Sequence, residues 1–215
     1  ALNLQIYKGK NFKCELFYSN VLKYLENNSN IKNVIIAARW PILIDGKRFK
    51  NELGGIEGGD FHKIIPTINN QLLLDEPKRK NIIKKEISKY IKNIIELEKK
   101  IILIYPIPVN GWNVPKTYAR YLHFYGEISD DLFIKYTTFQ KRTEEASLFL
   151  DELSKVDPHN KIIKIKPADY FCNNKVKNKC IAYYKGKLLY FDDDHLSLSG
   201  SDFLIENISN EITFD

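Results

Sequence analysis

Apolar residues recur along this chain in two rhythms that alternate with one another. Between Leu16 and Leu25 they fall at Phe17, Val21, Leu22 and Leu25, the spacing of one helix face. Asn33–Ala38 is then an unbroken run of β-branched and small residues, as a strand buried on both faces shows. It stops at Arg39-Trp40-Pro41, where Pro41 bars the strand from continuing and biases Trp40 toward an extended conformation. Residues Ile44–Leu74 carry no period and gather Gly54, Gly55, Gly58 and Gly59, which predicts a long irregular excursion with a flexible hairpin tip. The glycine cluster is no phosphate loop, because it lacks the G-K-[ST] that follows one.

Helical spacing returns over Glu76–Lys99, with Ile82, Ile83, Ile87, Ile91, Ile94, Ile95 and Leu97. Lys100–Pro106 reads as the next buried strand, turned by Pro106 and Pro108 into Gly111-Trp112-Asn113-Val114-Pro115. Helices are predicted from Pro115 to Tyr125 and from Asp130 to Val156, the second with a break near Tyr136–Thr138. Lys161–Lys166 is a third strand, Cys172–Cys180 a loop, and Ile181–Phe191 strand residues in a hairpin. Phe203, Leu204, Ile205 and Ile208 close the chain at helical spacing. This order predicts a single α/β domain over residues 1–215, a three-layer α/β/α sandwich around a central parallel sheet. Ligands of such sheets gather outside the carboxyl ends of the strands. Arg39-Trp40, the Pro106–Trp112 loop and Asp192–His195 all sit at such ends and so converge on one rim.

Composition changes this picture little. At 215 residues and 44% hydrophobic content the chain can bury a good core. The apolar runs Val34–Ala38 and Ile101–Val109 are too short to span a bilayer, and no signal peptide is visible. The absence of methionine marks a mature product or an excised piece. The net charge of +6 comes from lysines interleaved with Glu and Asn. They read as solvated helix faces without a nucleic-acid signature, though a basic surface also suits anionic lipid or an acidic glycan. Cys172 and Cys180 flank a polar loop without further zinc ligands nearby, and from the residues alone they are two buried thiols or a disulfide. No metal site is expected. His62, His123 and His159 stand apart from one another without ligand spacing.

Chemistry concentrates in Phe191-Asp192-Asp193-Asp194-His195-Leu196-Ser197-Leu198-Ser199-Gly200. A strand ends there, an acidic loop carries one histidine, and a helix begins. Asp192 lies three residues before His195, so a tight turn can join them. A neutral imidazole can take a proton from a hydroxyl while a carboxylate on its other nitrogen fixes the tautomer. The plainer reading is a solvated acidic turn with Ser197 or Ser199 capping the last helix.

The string Asp192-x-x-His195-Leu196-Ser197-x-x-Gly200 resembles the last catalytic block of SGNH hydrolases. More narrowly, it resembles the periplasmic SGNH domains fused to membrane-bound sugar O-acyltransferases. Val34-Ile35-Ile36-Ala37-Ala38-Arg39-Trp40, Cys14 ahead of the first helix, and Ile102-Leu103-Ile104-Tyr105-Pro106-Ile107-Pro108 resemble that family in the same order. The resemblance implies that Asp192 and His195 belong to a Ser-His-Asp triad. It implies a Cys172–Cys180 disulfide, an oxidising compartment, and Cys14 left without its partner. At the place of the family's oxyanion-hole Asn stands Arg39, which can stabilise an oxyanion, orient an acyl carbonyl, or pair with a local carboxylate such as the Asp192 cluster. Trp40 is expected to wall the pocket or stack on a sugar, or else to pack in the core.

The family's opening strand and Gly-Asp-Ser-His block are absent, so no nucleophile is assigned in this chain and one is expected upstream. The fold is accordingly expected to lack its first strand, and the 215-residue chain alone to be inactive. The resemblance implies transfer of an acyl group, most simply acetyl, to a hydroxyl of a cell-surface glycan, with lipopolysaccharide and peptidoglycan sugars as the models. It implies an N-terminal membrane acyltransferase domain as partner and a periplasmic or extracytoplasmic location. No cofactor is expected, since a donor such as acetyl-CoA would be handled by the membrane domain. The alternatives are a carbohydrate esterase, and a degenerate SGNH domain that binds glycan or acts as a scaffold.

Overall fold

The computed structural model describes residues 4–6, 14–58, 64–68, 71–72, 75–155, 157, 160–209 and 211–212. In chain order the elements are β1 (Leu4–Ile6), α1 (Cys14–Asn27), β2 (Asn33–Ile36), α2 (Trp40–Asp45), β3 (Ile64–Ile68), β4 (Gln71–Leu72), α3 (Glu76–Glu96) and β5 (Lys100–Ile104). There follow α4 (Val114–Tyr125), β6 (Ile134–Lys135), α5 (Tyr136–Lys155), β7 (Ile162–Ile165), α6 (Ala168–Phe171), β8 (Lys179–Cys180), β9 (Tyr183–Tyr184), β10 (Lys187–Leu188) and α7 (Leu198–Ile208).

A parallel sheet in the order β2-β5-β7 forms the middle layer, with Ile35 opposite Ile102 and Ile102 opposite Ile163. Alternation along β5 divides the apolar interior in two. Ile101 and Leu103 enter a core with Leu25 of α1, Ile44 of α2, Ile83 and Ile91 of α3 and Leu150 of α5. Ile102 enters the other, with Phe171, the two disulfide cysteines, and Phe203 and Leu204 of α7. Both faces of the strand are therefore dry, which is why it reads as a continuous apolar run. The helices form where the pattern and the caps agree. Asp75 accepts from the Lys78 N–H at 2.9 Å and Pro77 sits in the first turn of α3, where its missing N–H costs nothing.

The parallel sheet and the alternation of elements follow the pattern, and several local expectations do not. Trp40 is the first helical residue of α2 rather than extended. Its indole N–H donates to the Ile104 carbonyl at 2.8 Å, and this tertiary anchor overrides the local bias before Pro41. The stretch Ile44–Leu74 contains β3 and β4, which pair antiparallel with each other, β3 also pairing with β1. Pro66 hides β3 in the sequence, since proline argues against a strand. It stands opposite Leu4 of β1, while β4 pairs only with Thr67 and Ile68, beyond it, so Pro66 has a strand on one side alone. Ile181–Phe191 holds the expected hairpin, β9–β10, but its strands are only two residues each, turned by Lys185 and Gly186 at positive φ of 46° and 81°. Ahead of α5, Asp130–Leu132 is a 3-10 turn and Ile134–Lys135 a strand paired with β8.

Cys172 and Cys180 form the expected disulfide, both buried in the second core. Closing so short a loop is worth about 2–3 kcal/mol in a chain-entropy account. The backbone of Cys14 opens α1, while its side chain lies outside the described residues. Among the described residues no helix is long and apolar enough to cross a membrane.

Candidate active site

Past β10 the chain makes a turn that one carboxylate organises. Asp192 Oδ1 accepts from the backbone N–H groups of Asp194 at 3.0 Å and His195 at 2.8 Å. Its other oxygen, Oδ2, lies 2.8 Å from His195 Nδ1. An ionised carboxylate only accepts, so Nδ1 carries the proton and Nε2 keeps its lone pair. The hydrogen bond that Nδ1–H donates to Asp192 raises the His195 pKa above its ordinary value, more than partial burial lowers it. Burial pushes Asp192 upward, but the two backbone N–H groups and the imidazole outweigh it and hold the carboxyl below its ordinary range. The side chain of His195 stands on the rim, 67% exposed.

A second carboxylate competes for the same ring. Asp194 Oδ1 lies 3.2 Å from His195 Nδ1, and its Oδ2 is held by Arg39 Nε at 2.9 Å. Burial raises the Asp194 pKa despite Arg39 and His195. Arg39 in turn pairs with Glu57, which is 3% exposed and whose second oxygen accepts from the Phe49 N–H at 2.9 Å. Arg39 thus joins the end of β2 to the Asp192–His195 turn and to the glycine-rich loop. Asp192, Asp194 and His195 bring three ligand atoms within 4.8 Å of one another.

Two loops hold this turn from outside. The Asn110 N–H donates to the Asp193 carbonyl at 2.8 Å and the Val114 N–H to the Asp192 carbonyl at 3.0 Å. The Gly58 N–H donates to Asp193 Oδ2 at 2.8 Å. Asn51 ties the loops together. Its amide donates to the Asn110 carbonyl at 2.6 Å, and its Oδ1 accepts from Gly55 N–H at 2.7 Å and Leu53 N–H at 2.9 Å. The loops meet at two glycines, where a Cβ on Gly55 would come within 2.8 Å of the Gly111 carbonyl oxygen. Asn51→Ala leaves buried backbone groups unpaired and is expected to cost about 1–3 kcal/mol, read as a lower denaturant midpoint. Asn51→Asp should cost as much, because it sets an oxygen against the Asn110 carbonyl; a wild-type midpoint in both variants refutes the clasp.

A cavity of about 430 Å³ opens beside His195, walled by Ala38, Arg39, Ile104, Pro106, Val109 and Leu196 among others. Among the described residues no hydroxyl hydrogen-bonds His195. Ser197 caps α7, accepting from the Gly200 N–H and donating to the Leu188 carbonyl at 2.7 Å. The Thr143 hydroxyl donates to Phe139 O and that of Tyr105 to Asp151.

The structure brings His195, Asp192 and Arg39 together on one rim, as the strand ends require. Trp40 needs correcting: at 2% exposure it is a core residue with no face for a sugar, because its indole fills the interior below the sheet. His123 is exposed on the last turn of α4, far from ligand spacing, and His62 and His159 lie outside the described residues. Sequence reasoning missed Asn51, Glu57 and Asn110. The signals were slight, an Asn four residues before Gly55 and a lone Glu among glycines.

A family model described as "SGNH domain (fused to AT3 domains)" matches residues 3–210. Among solved structures, the periplasmic domain of a lipopolysaccharide acetyltransferase from Salmonella ser. Paratyphi A is similar. It is 18% identical, with 95% of this chain and 97% of that chain covered, at a TM-score of 0.43. No curated protein matches.

Proposed function

Since the chain belongs to the family of SGNH domains that are fused to AT3 domains, we propose that it is the acyl-transferring domain of an O-acyltransferase, acting by a Ser-His-Asp mechanism. The observation that carries this reading is the Asp192–His195 pair, with Nε2 available at the rim of a cavity on the carboxyl side of a parallel sheet. A serine hydroxyl gives its proton to Nε2 and attacks the acyl carbonyl carbon. The bond to the donor breaks, and the departing donor atom takes the proton from His195. A glycan hydroxyl then gives its proton to Nε2 and attacks the acyl-serine, which regains its proton as the new ester forms. Asp192 holds the imidazole and stabilises its charged form. Arg39, on the cavity wall, is assigned the acyl carbonyl. Acetyl is the acyl group proposed, with the AT3 domain as the membrane partner that hands it over on the periplasmic face.

The nucleophile is assigned to a Gly-Asp-Ser segment upstream. Among the described residues the outer edge of β2 carries no neighbouring strand, and Ile35 in its middle is 61% exposed. A parallel strand along that edge would end beside Ala37–Arg39, which wall the same cavity as His195. Hydrolysis differs only in the acceptor, so an esterase is the near variant.

The test compares the intact protein with the 215-residue chain, using a small aryl acetate and a fluorophosphonate serine probe. Turnover and one labelled serine in Gly-Asp-Ser context are expected from the first, neither from the second. Probe-sensitive turnover by the short chain places the nucleophile within it, and an intact protein that neither turns over nor labels leaves the glycan-binding reading.

A further inference from the structure

Beside the catalytic cavity lies a second cleft, of about 460 Å³, and the two share Tyr105, Pro106, Phe139 and Thr143 as common wall. The first is walled chiefly by aliphatic groups near His195. The second runs along the outward stripe of α5, at Tyr136, Gln140, Glu144, Ser147 and Asp151, faced by Lys166 and Asp169 after β7. From Tyr136 to Asp151 the helix spans about 22 Å, long enough for several joined rings.

The lining matches the chemistry of a sugar chain. A pyranose offers hydroxyls that both donate and accept, and an apolar face of C–H groups. Carboxylate, amide and hydroxyl side chains supply the first kind of partner, and ring faces supply the second. Gln140 and Glu144 are exposed in the cleft. Tyr136 and Phe139 stack at 6.3 Å and 14° where the cleft begins, so aromatic surface marks the end near the catalytic cavity. The wall on the Tyr105 side is firm: Asp151 accepts from Tyr105 OH at 2.9 Å and pairs with Lys164 at 3.2 Å, and Lys166 Nζ lies 5.1 Å from the Tyr105 ring centre. Charges of both signs line the cleft, which favours a polyhydroxyl chain over a simple polyanion.

We infer that this cleft is the acceptor subsite, binding a carbohydrate chain along α5 so that one of its hydroxyls reaches the cavity beside His195. The inference rests on the acyl-transfer reading for the role of the bound chain, and not for its binding.

The experiment measures both in the intact protein. The probes are two de-esterified glycan pools from cells that make the protein, surface-polysaccharide fragments and peptidoglycan fragments. The variants are Gln140→Trp, which fills the cleft from an exposed position, and Gln140→Ala/Glu144→Ala, which strips it. Calorimetric binding of one pool should weaken about tenfold or more in both variants, as loss of one or two hydrogen bonds to a sugar does. Aryl-acetate hydrolysis without glycan should stay within about twofold, since neither residue touches His195. Affinity for both pools unchanged by the variants, or no binding by the wild type, overturns the inference. Variant-sensitive binding in a protein without His195-dependent turnover upholds the subsite and removes the acyl-transfer reading instead.

Discussion

His195→Ala in the intact protein is expected to lower kcat for ester turnover by about 10⁴–10⁶, the scale of losing the base from a triad. Asp192→Asn should cost about 10⁴, because Asn can offer its amide to Nδ1 and turn the imidazole to the wrong tautomer. The same pair sets the pH dependence. The hydrogen bond that His195 donates to Asp192 raises the His195 pKa above its ordinary value. The base works only when neutral, so activity should rise with pH through a midpoint above about 6.5. Removing Asp192 should move that limb to lower pH even as the rate falls. The linkage to folding runs the other way in sign. The His195 contribution to stability is full below its unfolded pKa and fades as pH rises through the folded one. That of Asp192, whose pKa is depressed, is full above its unfolded value and fades as pH falls through the folded one. An acid limb unmoved in Asp192→Asn, or wild-type turnover in His195→Ala, removes His195 from the mechanism.

What the sequence showed of this site follows the range of its contacts. Asp192 and His195 are three residues apart, and one carboxylate oxygen closes the turn while the other meets the ring, so the pair was legible as a local motif. Arg39 was legible as a strand-end cation that could pair with the Asp192 cluster, and Asp194 of that cluster is such a partner. Its other partner, Glu57, is 18 residues away and has no motif. Asn51 reaches Asn110 across 59 residues, a contact set by how two loops pack. Trp40 stood open in the sequence between pocket wall, sugar platform and core, and its burial decides for the core, which its size and apolarity suit. The central strands were plain because both faces of β5 are buried, whereas β3 carried a proline and β9 and β10 are two residues each.

Gly200→Ala is expected to destabilise the domain by about 3 kcal/mol or more, against the helix scale that favours Ala by about 1 kcal/mol. Gly200 stands in the first turn of α7 and is buried. A Cβ there would run into the Leu189 carbonyl oxygen and lie 2.8 Å from its carbon, both backbone atoms that no rotamer can move. That carbonyl is already engaged, accepting from the Ser197 N–H at 3.0 Å, while Ser197 Oγ donates to Leu188 O at 2.7 Å. The helix therefore starts clasped to the segment that leads into the catalytic turn. The clasp continues in the bridge between Tyr190 and Leu196 and in the 2.8 Å bond from Phe191 N–H to the His195 carbonyl. Making room for the methyl means lifting α7, which carries Phe203 and Leu204 out of the second core and shifts His195 with them. A chain of this size should lose about 6–12 °C in Tm for 3 kcal/mol. Ser199→Ala, one residue away with no such contact, should stay within about 0.5 kcal/mol of wild type. A Gly200→Ala protein melting within 2 °C of wild type, on the order of 1 kcal/mol or less, would show that α7 does not press on Leu189 as closely as this packing requires.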